Sequence, residues 1–214
     1  MRSIYVNTVL HEPEKAKASI EQVCAFARVA KRFGTSIVVT NPSPIRWGAK
    51  AGKTDEQLEL QAKALDQLGR RLRELGLTLA YHNHDIELLY AAREFHHMML
   101  ATDPEHVTLC LDAHWVYRGS GNSQVALFDV VKLYGRRITE LHLRQSRGGV
   151  WTETFCDGDI DYARLAAQLH RFGVRPLLVM EQAVEKGTPH TMDAVQAHVR
   201  SLAYARKLFA CFSS

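Results

Sequence analysis

Carboxylates and imidazoles recur just beyond short apolar runs of this sequence. His82-Asn83-His84-Asp85 follows Thr78-Leu79-Ala80-Tyr81, and Asp112-Ala113-His114 follows Val107 to Leu111. His142 and Arg144 lie around the run Ile138 to Leu143, and Glu181-Gln182 follows Pro176 to Met180. One carboxylate in such a place reads as a helix cap or as the partner of a basic neighbour. Asp112 and Glu181 together, with His142 and the His82/His84 pair, read as a metal site. Mixed carboxylate and imidazole ligation suits one divalent ion, Mn²⁺, Co²⁺, Mg²⁺ or Zn²⁺, and the spacing does not select among them. On a strand, His82 and His84 point the same way; if the strand stops at His82, His84 belongs to the loop and its direction is not set. The alternative to a metal-ligand role is a hydrogen-bonded histidine pair. Arg144 shares a face with His142 and either binds an anionic or hydroxylated substrate or pairs with Glu140. Trp115, Tyr117 and Trp151 are placed on loops after strands, where aromatic faces floor a sugar site or serve a core or lid.

These residues need elements that bring them to one place. The six apolar runs begin with Ser3-Ile4-Tyr5-Val6 and Ser36-Ile37-Val38-Val39 and continue with the four named above. They are mostly continuous rather than alternating, the pattern of strands buried on both faces of a parallel sheet. Amphipathic stretches at 14–33, 54–75, 91–100, 123–134, 160–172 and 191–210 separate or follow them. Thr54 with Asp55 and Glu56 opens one helix, and Gly34, Gly76 and Gly173 close three others. Strand-to-strand spacing of about 30–40 residues is that of one βα unit. Six units imply an α/β fold, and residues 1–214 are expected to form one domain. No G-x-G-x-x-G follows a strand, so a dinucleotide-binding sheet has no support. Polar residues collected at the C-terminal ends of several strands are the signature of a (β/α) barrel active site.

Composition narrows the classes further. The chain of 214 residues is 46% hydrophobic and 23% charged, with a formal net charge of +4. The Arg70, Arg71, Arg73 cluster sits on a predicted helix and reads as a solvated face, so nucleic acid is not an expected partner. The apolar runs are too short to span a bilayer. Four scattered cysteines without a C-x-x-C pair read as reduced thiols of a cytoplasmic protein.

The stretches Tyr81-His82-Asn83-His84-Asp85-Ile86-Glu87, Leu111-Asp112-Ala113-His114-Trp115 and Glu140-Leu141-His142-Leu143-Arg144 resemble those of a known family. With Gly158-Asp159-Ile160-Asp161-Tyr162 and Val179-Met180-Glu181-Gln182, the sequence is similar to the sugar phosphate isomerase/epimerase family of xylose isomerase-like TIM barrels. The resemblance runs from about residue 3 to residue 210. It implies a divalent metal near the barrel axis, here on Asp112, His142 and Glu181. Where the family has its first glutamate this chain has His82, so either His82 is the fourth ligand or Glu87 reaches back from the loop. The family's His-x-Lys-Asp run reads His142-Leu143-Arg144-Gln145 here.

A barrel of this type has eight strands and about 250 residues, and the six runs correspond to its third to eighth strands. The first two units are therefore expected to be missing. The outer edges of the first and last strands then stand unpaired, and the expectation is an open barrel sealed by a partner copy, or one poorly stable alone.

The resemblance implies an isomerase or epimerase acting on a sugar or keto-sugar by α-proton transfer through an enediolate. Glu181 is then ligand and general base, His84 or Glu87 the second proton-transfer group, and Arg144, Trp115 and His114 contact the substrate. An inosose dehydratase-like lyase shares the first proton abstraction and is the alternative within enzymes. A non-catalytic barrel remnant acting as a binding module is the alternative outside them. Endonuclease chemistry is disfavoured, because the extra metal ligands and the basic groove it needs are absent from the sequence.

Overall fold

The computed structural model describes residues 1–212. The chain divides into two compact units, Met1–Cys110 and the remainder from Leu111 onward.

The N-terminal unit alternates strands and helices: β1 (Ser3–Tyr5), α1 (Pro13–Lys31), β2 (Ile37–Thr40), α2 (Asp55–Glu74), β3 (Thr78–His82), α3 (Leu89–Leu100) and β4 (Val107–Asp112), whose last two residues belong to the second unit. All three strand pairings are parallel and follow chain order, with Tyr5 opposite Val39, Val39 opposite Ala80, and His82 opposite Cys110. Alternation along the strands sorts the side chains. Val39, Ala80 and Cys110 pack together on one face, while Tyr81 turns to the other, its ring centroid 6.1 Å from that of Phe95. Burial on both faces explains why β2, β3 and β4 read as continuous apolar runs.

Helix ends follow the sequence signals. Thr54 and Gln57 form a reciprocal capping box at the start of α2, satisfying two backbone donors that helical bonding leaves open. Gly34 and Gly76 end α1 and α2 at φ +84° and +69°, a conformation that a side chain disfavours. The start of α3 departs from the helical expectation: Tyr90, Ala91 and Ala92 form a left-handed turn at φ +54° to +60°. Such a turn costs about 1–2 kcal/mol per residue and nothing in the apolar periodicity announces it. Lys53 and Glu94 are both buried and form an ion pair at 2.5 Å, with Gln61 donating to the same carboxylate oxygen at 2.8 Å.

The C-terminal unit holds α4 (Ala113–Gly119), α5 (Gln124–Tyr134), β5 (Ile138–Leu143), the two-residue strands β6 (Ser146–Arg147) and β7 (Val150–Trp151), α6 (Tyr162–Arg171), β8 (Leu177–Met180) and α7 (Ala194–Leu208). β5 and β8 run parallel with His142 opposite Val179, and β6 and β7 form a small antiparallel ladder. Three of these elements, α4, β6 and β7, were not expected. The stretch after Asp112 is a helix, so Trp115 and Tyr117 stand on α4 rather than on a loop, and Trp151 stands on β7. Seven residues are too few for apolar periodicity to register a helix, and Asp112 caps it by accepting from the Trp115 amide at 2.9 Å.

Gly158 marks a close approach in this unit. A Cβ there would lie 2.2 Å from the Ser146 carbonyl oxygen. The loop it serves is held by Gln145, whose amide nitrogen donates to the Ile160 carbonyl at 2.9 Å and whose oxygen accepts from the Ile160 amide at 3.1 Å. Among the described residues, no helix is long and apolar enough to cross a membrane.

Candidate metal centre

Alternation along β5 puts Glu140, His142 and Arg144 on one face and the fully buried Leu141 and Leu143 on the other. Asp112 enters from the end of β4, and Glu181 follows β8, its amide bonded to the Leu143 carbonyl at 3.1 Å. The ligand atoms of Asp112, His142 and Glu181 lie within 4.8 Å of one another. His142 Nδ1 stands 2.5 Å from Glu181 Oε2, and His142 Nε2 is 2.9 Å from Glu140 Oε1. A carboxylate on the far nitrogen fixes the ring and its tautomer, the support that metal-binding histidines commonly have. Glu140 is buried at 1% exposure and is the group that orients His142.

Arg144 crosses this cluster. Its Nη2 donates to Asp112 Oδ2 at 3.2 Å and to Glu181 Oε1 at 2.5 Å, and its Nε donates to the Glu181 carbonyl at 3.2 Å. The pairing is therefore with Asp112 and Glu181, while Glu140 serves His142. The guanidinium carbon sits 4.9 Å from the ring centre of Trp115 and 4.5 Å from that of Trp151. Trp151 is held in turn by Glu185, which accepts from its amide at 2.8 Å and pairs with both terminal nitrogens of Arg118.

His114 is fully buried beside the cluster, with its ring centre 6.0 Å from that of Trp151 and 6.1 Å from that of Tyr117. Burial, with Arg118 and Arg144 adding to it, pushes its pKa down to about 3, so the ring is neutral at ordinary pH. Neither ring nitrogen has a hydrogen-bond partner among the described residues. A neutral imidazole with one donor and one acceptor unused is suited to a hydroxyl group, which both donates and accepts.

The N-terminal unit carries the remaining residues of interest. β3 ends at His82, so His84 belongs to the loop, and the two rings stand 4.8 Å apart in an edge-on contact. Asn41 donates to both the His82 carbonyl and Glu87 Oε1 at 3.0 Å, and the His84 amide donates to Glu87 Oε2 at 2.7 Å. Glu87 thus ties the ends of β2 and β3 together. Its burial, followed by the nearby charge of Glu94, raises its pKa from 4.5 to about 7.

Sequence reasoning pointed to Asp112, His142 and Glu181 but missed the groups that hold them. Glu140 was weighed only as a partner of Arg144, although its position two before His142 already put it on the same face. Asn41 and the Arg118–Glu185 pair gave no signal in the sequence, since their roles depend on contacts across 46 and 67 residues.

A parallel α/β chain with carboxylates and imidazoles at its strand ends has the pattern of a (β/α) barrel protein. The comparison with known proteins agrees. Residues 3–207 match the xylose isomerase-like TIM barrel family, and the chain belongs to that family. Inosose dehydratase of Clostridium perfringens is 30% identical over 152 residues, covering 68% of this chain and 49% of that enzyme. The chain spans 30–49% of the length of the curated inosose dehydratases of Lacticaseibacillus casei and C. perfringens that it matches. A sugar phosphate isomerase/epimerase from Parabacteroides distasonis superposes with a TM-score of 0.74 at 17% identity, covering 100% of this chain and 72% of that one. IolI protein, solved with a bound zinc atom, superposes with a TM-score of 0.71 at 14% identity, covering 99% and 77%.

Proposed function

We propose that this chain is a metal-dependent enzyme that moves the proton next to the carbonyl of a keto-sugar, as an isomerase or epimerase. The observation that carries the reading is the convergence of Asp112, His142 and Glu181, with Glu140 behind His142. Two carboxylates and one oriented imidazole fit a hard or borderline divalent ion. His82 remains the proposed fourth ligand on the family resemblance and on its place at the end of β3. A divalent ion held there would polarise a carbonyl and its neighbouring hydroxyl, acidifying the C–H of the carbon that bears that hydroxyl.

The chain's own residues supply the rest. Glu181 is the one partly exposed member of the cluster, its side chain 35% accessible against 0% for Asp112, which suits it to take up the substrate proton. His84 or Glu87 is the proposed second proton-transfer group. Arg144, Trp115 and His114 are proposed to contact the substrate, the arginine through its N–H donors and the neutral His114 through its unused nitrogens.

A dehydratase reading is favoured by the names of the matched relatives, which are inosose dehydratases at 30–35% identity. Both readings begin with the same proton removal, so one experiment tests their common core. The purified chain and an Asp112→Ala/Glu181→Ala variant are assayed for bound divalent metal, then incubated with keto-sugars and inososes in D₂O. Metal in the native chain alone, with deuterium entering next to the carbonyl, is expected. A new unsaturated or deoxy ketone among the products selects dehydration. Absence of both metal binding and exchange overturns the proposal in favour of a non-catalytic binding module.

A further inference from the structure

Arg144 is held from within its own unit by three hydrogen bonds and two indole rings. The same Nη2 reaches one oxygen of Asp112 and one of Glu181, the Nε reaches the Glu181 carbonyl, and two indole rings lie against the guanidinium. Its side chain is only 3% exposed. The oxygens that a divalent ion needs from Asp112 and Glu181 are thus already accepting hydrogen bonds from a positive charge supplied by the chain. Two cations sharing those carboxylates repel each other, and in a buried setting that repulsion is strong. Without any cation, the fully buried Asp112 would be an uncompensated charge, which is costly. Arg144 resolves the second problem and creates the first.

We propose that Arg144 is a built-in counter-ion that competes with the divalent ion for Asp112 and Glu181, and that loading the ion frees its guanidinium to bind substrate oxygen. The inference rests on the metal-centre reading above. The indoles of Trp115 and Trp151 keep the guanidinium in place by cation–π contact, so its N–H hydrogen bonds are the part that changes partner. Ion binding then precedes substrate binding, and the released donors suit a carbonyl, hydroxyl or carboxylate oxygen.

The test is calorimetric titration of the full chain with MnCl₂ in wild type, Arg144→Met and Arg144→Lys. Arg144→Met is expected to bind Mn²⁺ about tenfold tighter or more, because the competing charge is gone. Arg144→Lys keeps the charge and is expected to stay close to wild type. Metal-free Arg144→Met is expected to melt below wild type and to gain more from added Mn²⁺. Side-chain ¹⁵N spectra of wild type give a second reading that needs no methionine variant. One guanidinium signal, missing in Arg144→Lys, is expected to shift and rotate faster on saturation with ZnCl₂. Equal or weaker Mn²⁺ binding by folded Arg144→Met overturns the proposal while leaving the metal centre intact. If Arg144→Met does not fold, an unmoved guanidinium signal overturns it. Failure of wild type and both variants to bind either metal overturns the metal-centre reading as well.

Discussion

Replacing Glu87 by glutamine separates a buried charge from the shape that carries it. Glu87 is 0% exposed, and its pKa is raised from 4.5 to about 7 chiefly by desolvation, with Glu94 adding repulsion and Asn41, the His84 amide and Lys53 opposing. The folded protein therefore holds this proton to higher pH than the unfolded chain does. Between about pH 4.5 and 7 the folded state binds more protons, so unfolding free energy falls as pH rises through that window. Each tenfold change in proton affinity is worth about 1.4 kcal/mol, so the move from 4.5 to about 7 corresponds to about 3 kcal/mol. That stability is present in full below pH 4.5 and is lost as pH climbs through 7. Glutamine does not titrate. Its oxygen keeps one of the two donors and its amide group opposes the other, a pH-independent cost of about 1 kcal/mol. Urea unfolding of both proteins between pH 4.5 and 8 reads the difference. Wild type is expected to be the more stable at the acid end and Glu87→Gln the more stable at pH 8, with a swing of about 3 kcal/mol. A difference that stays constant with pH would refute the claim that Glu87 is buried against its charge.

Two further substitutions probe the supports of the site. Glu140→Gln keeps the size of the side chain but weakens its hold on His142 Nε2; affinity for Mn²⁺ is expected to fall about 10- to 100-fold with little change in secondary structure. Equal affinity in both proteins would remove Glu140 from the site. Gly158→Ala places a Cβ 2.2 Å from the Ser146 carbonyl, and backbone on both sides has little room to give. A loss of about 1–3 kcal/mol is expected, read as a lower melting temperature, and an unchanged melt would show that the 156–160 loop can move aside.

The six strands were legible as continuous apolar runs bounded by turn residues, the pattern that burial on both faces selects in β2 to β5. Helix ends at Thr54, Gly34 and Gly76 were legible for a local reason, since caps and left-handed turns are chemistry of neighbouring residues. Asp112 and Glu181 stood out because they come together with His142 and the His82/His84 pair at the ends of several strands, where a single carboxylate would read as a helix cap. The short α4 and the left-handed turn at Tyr90 to Ala92 escaped, one for want of length and the other because no residue type in it favours positive φ.

Sequence by itself determined the parallel α/β frame and the residue types at its strand ends, because burial and capping act on neighbours in the chain. Tertiary structure alone decided who holds whom. Arg144 could face Glu140 on its own strand, yet it reaches Asp112 and Glu181, and His142 takes Glu140 instead. The choice depends on where β4, β5 and β8 end in space, and on two indoles brought to the guanidinium by α4 and β7. Hydrogen bonds and ion pairs are satisfied over a few ångströms, and the separations that set those few ångströms are fixed only when the strands have packed.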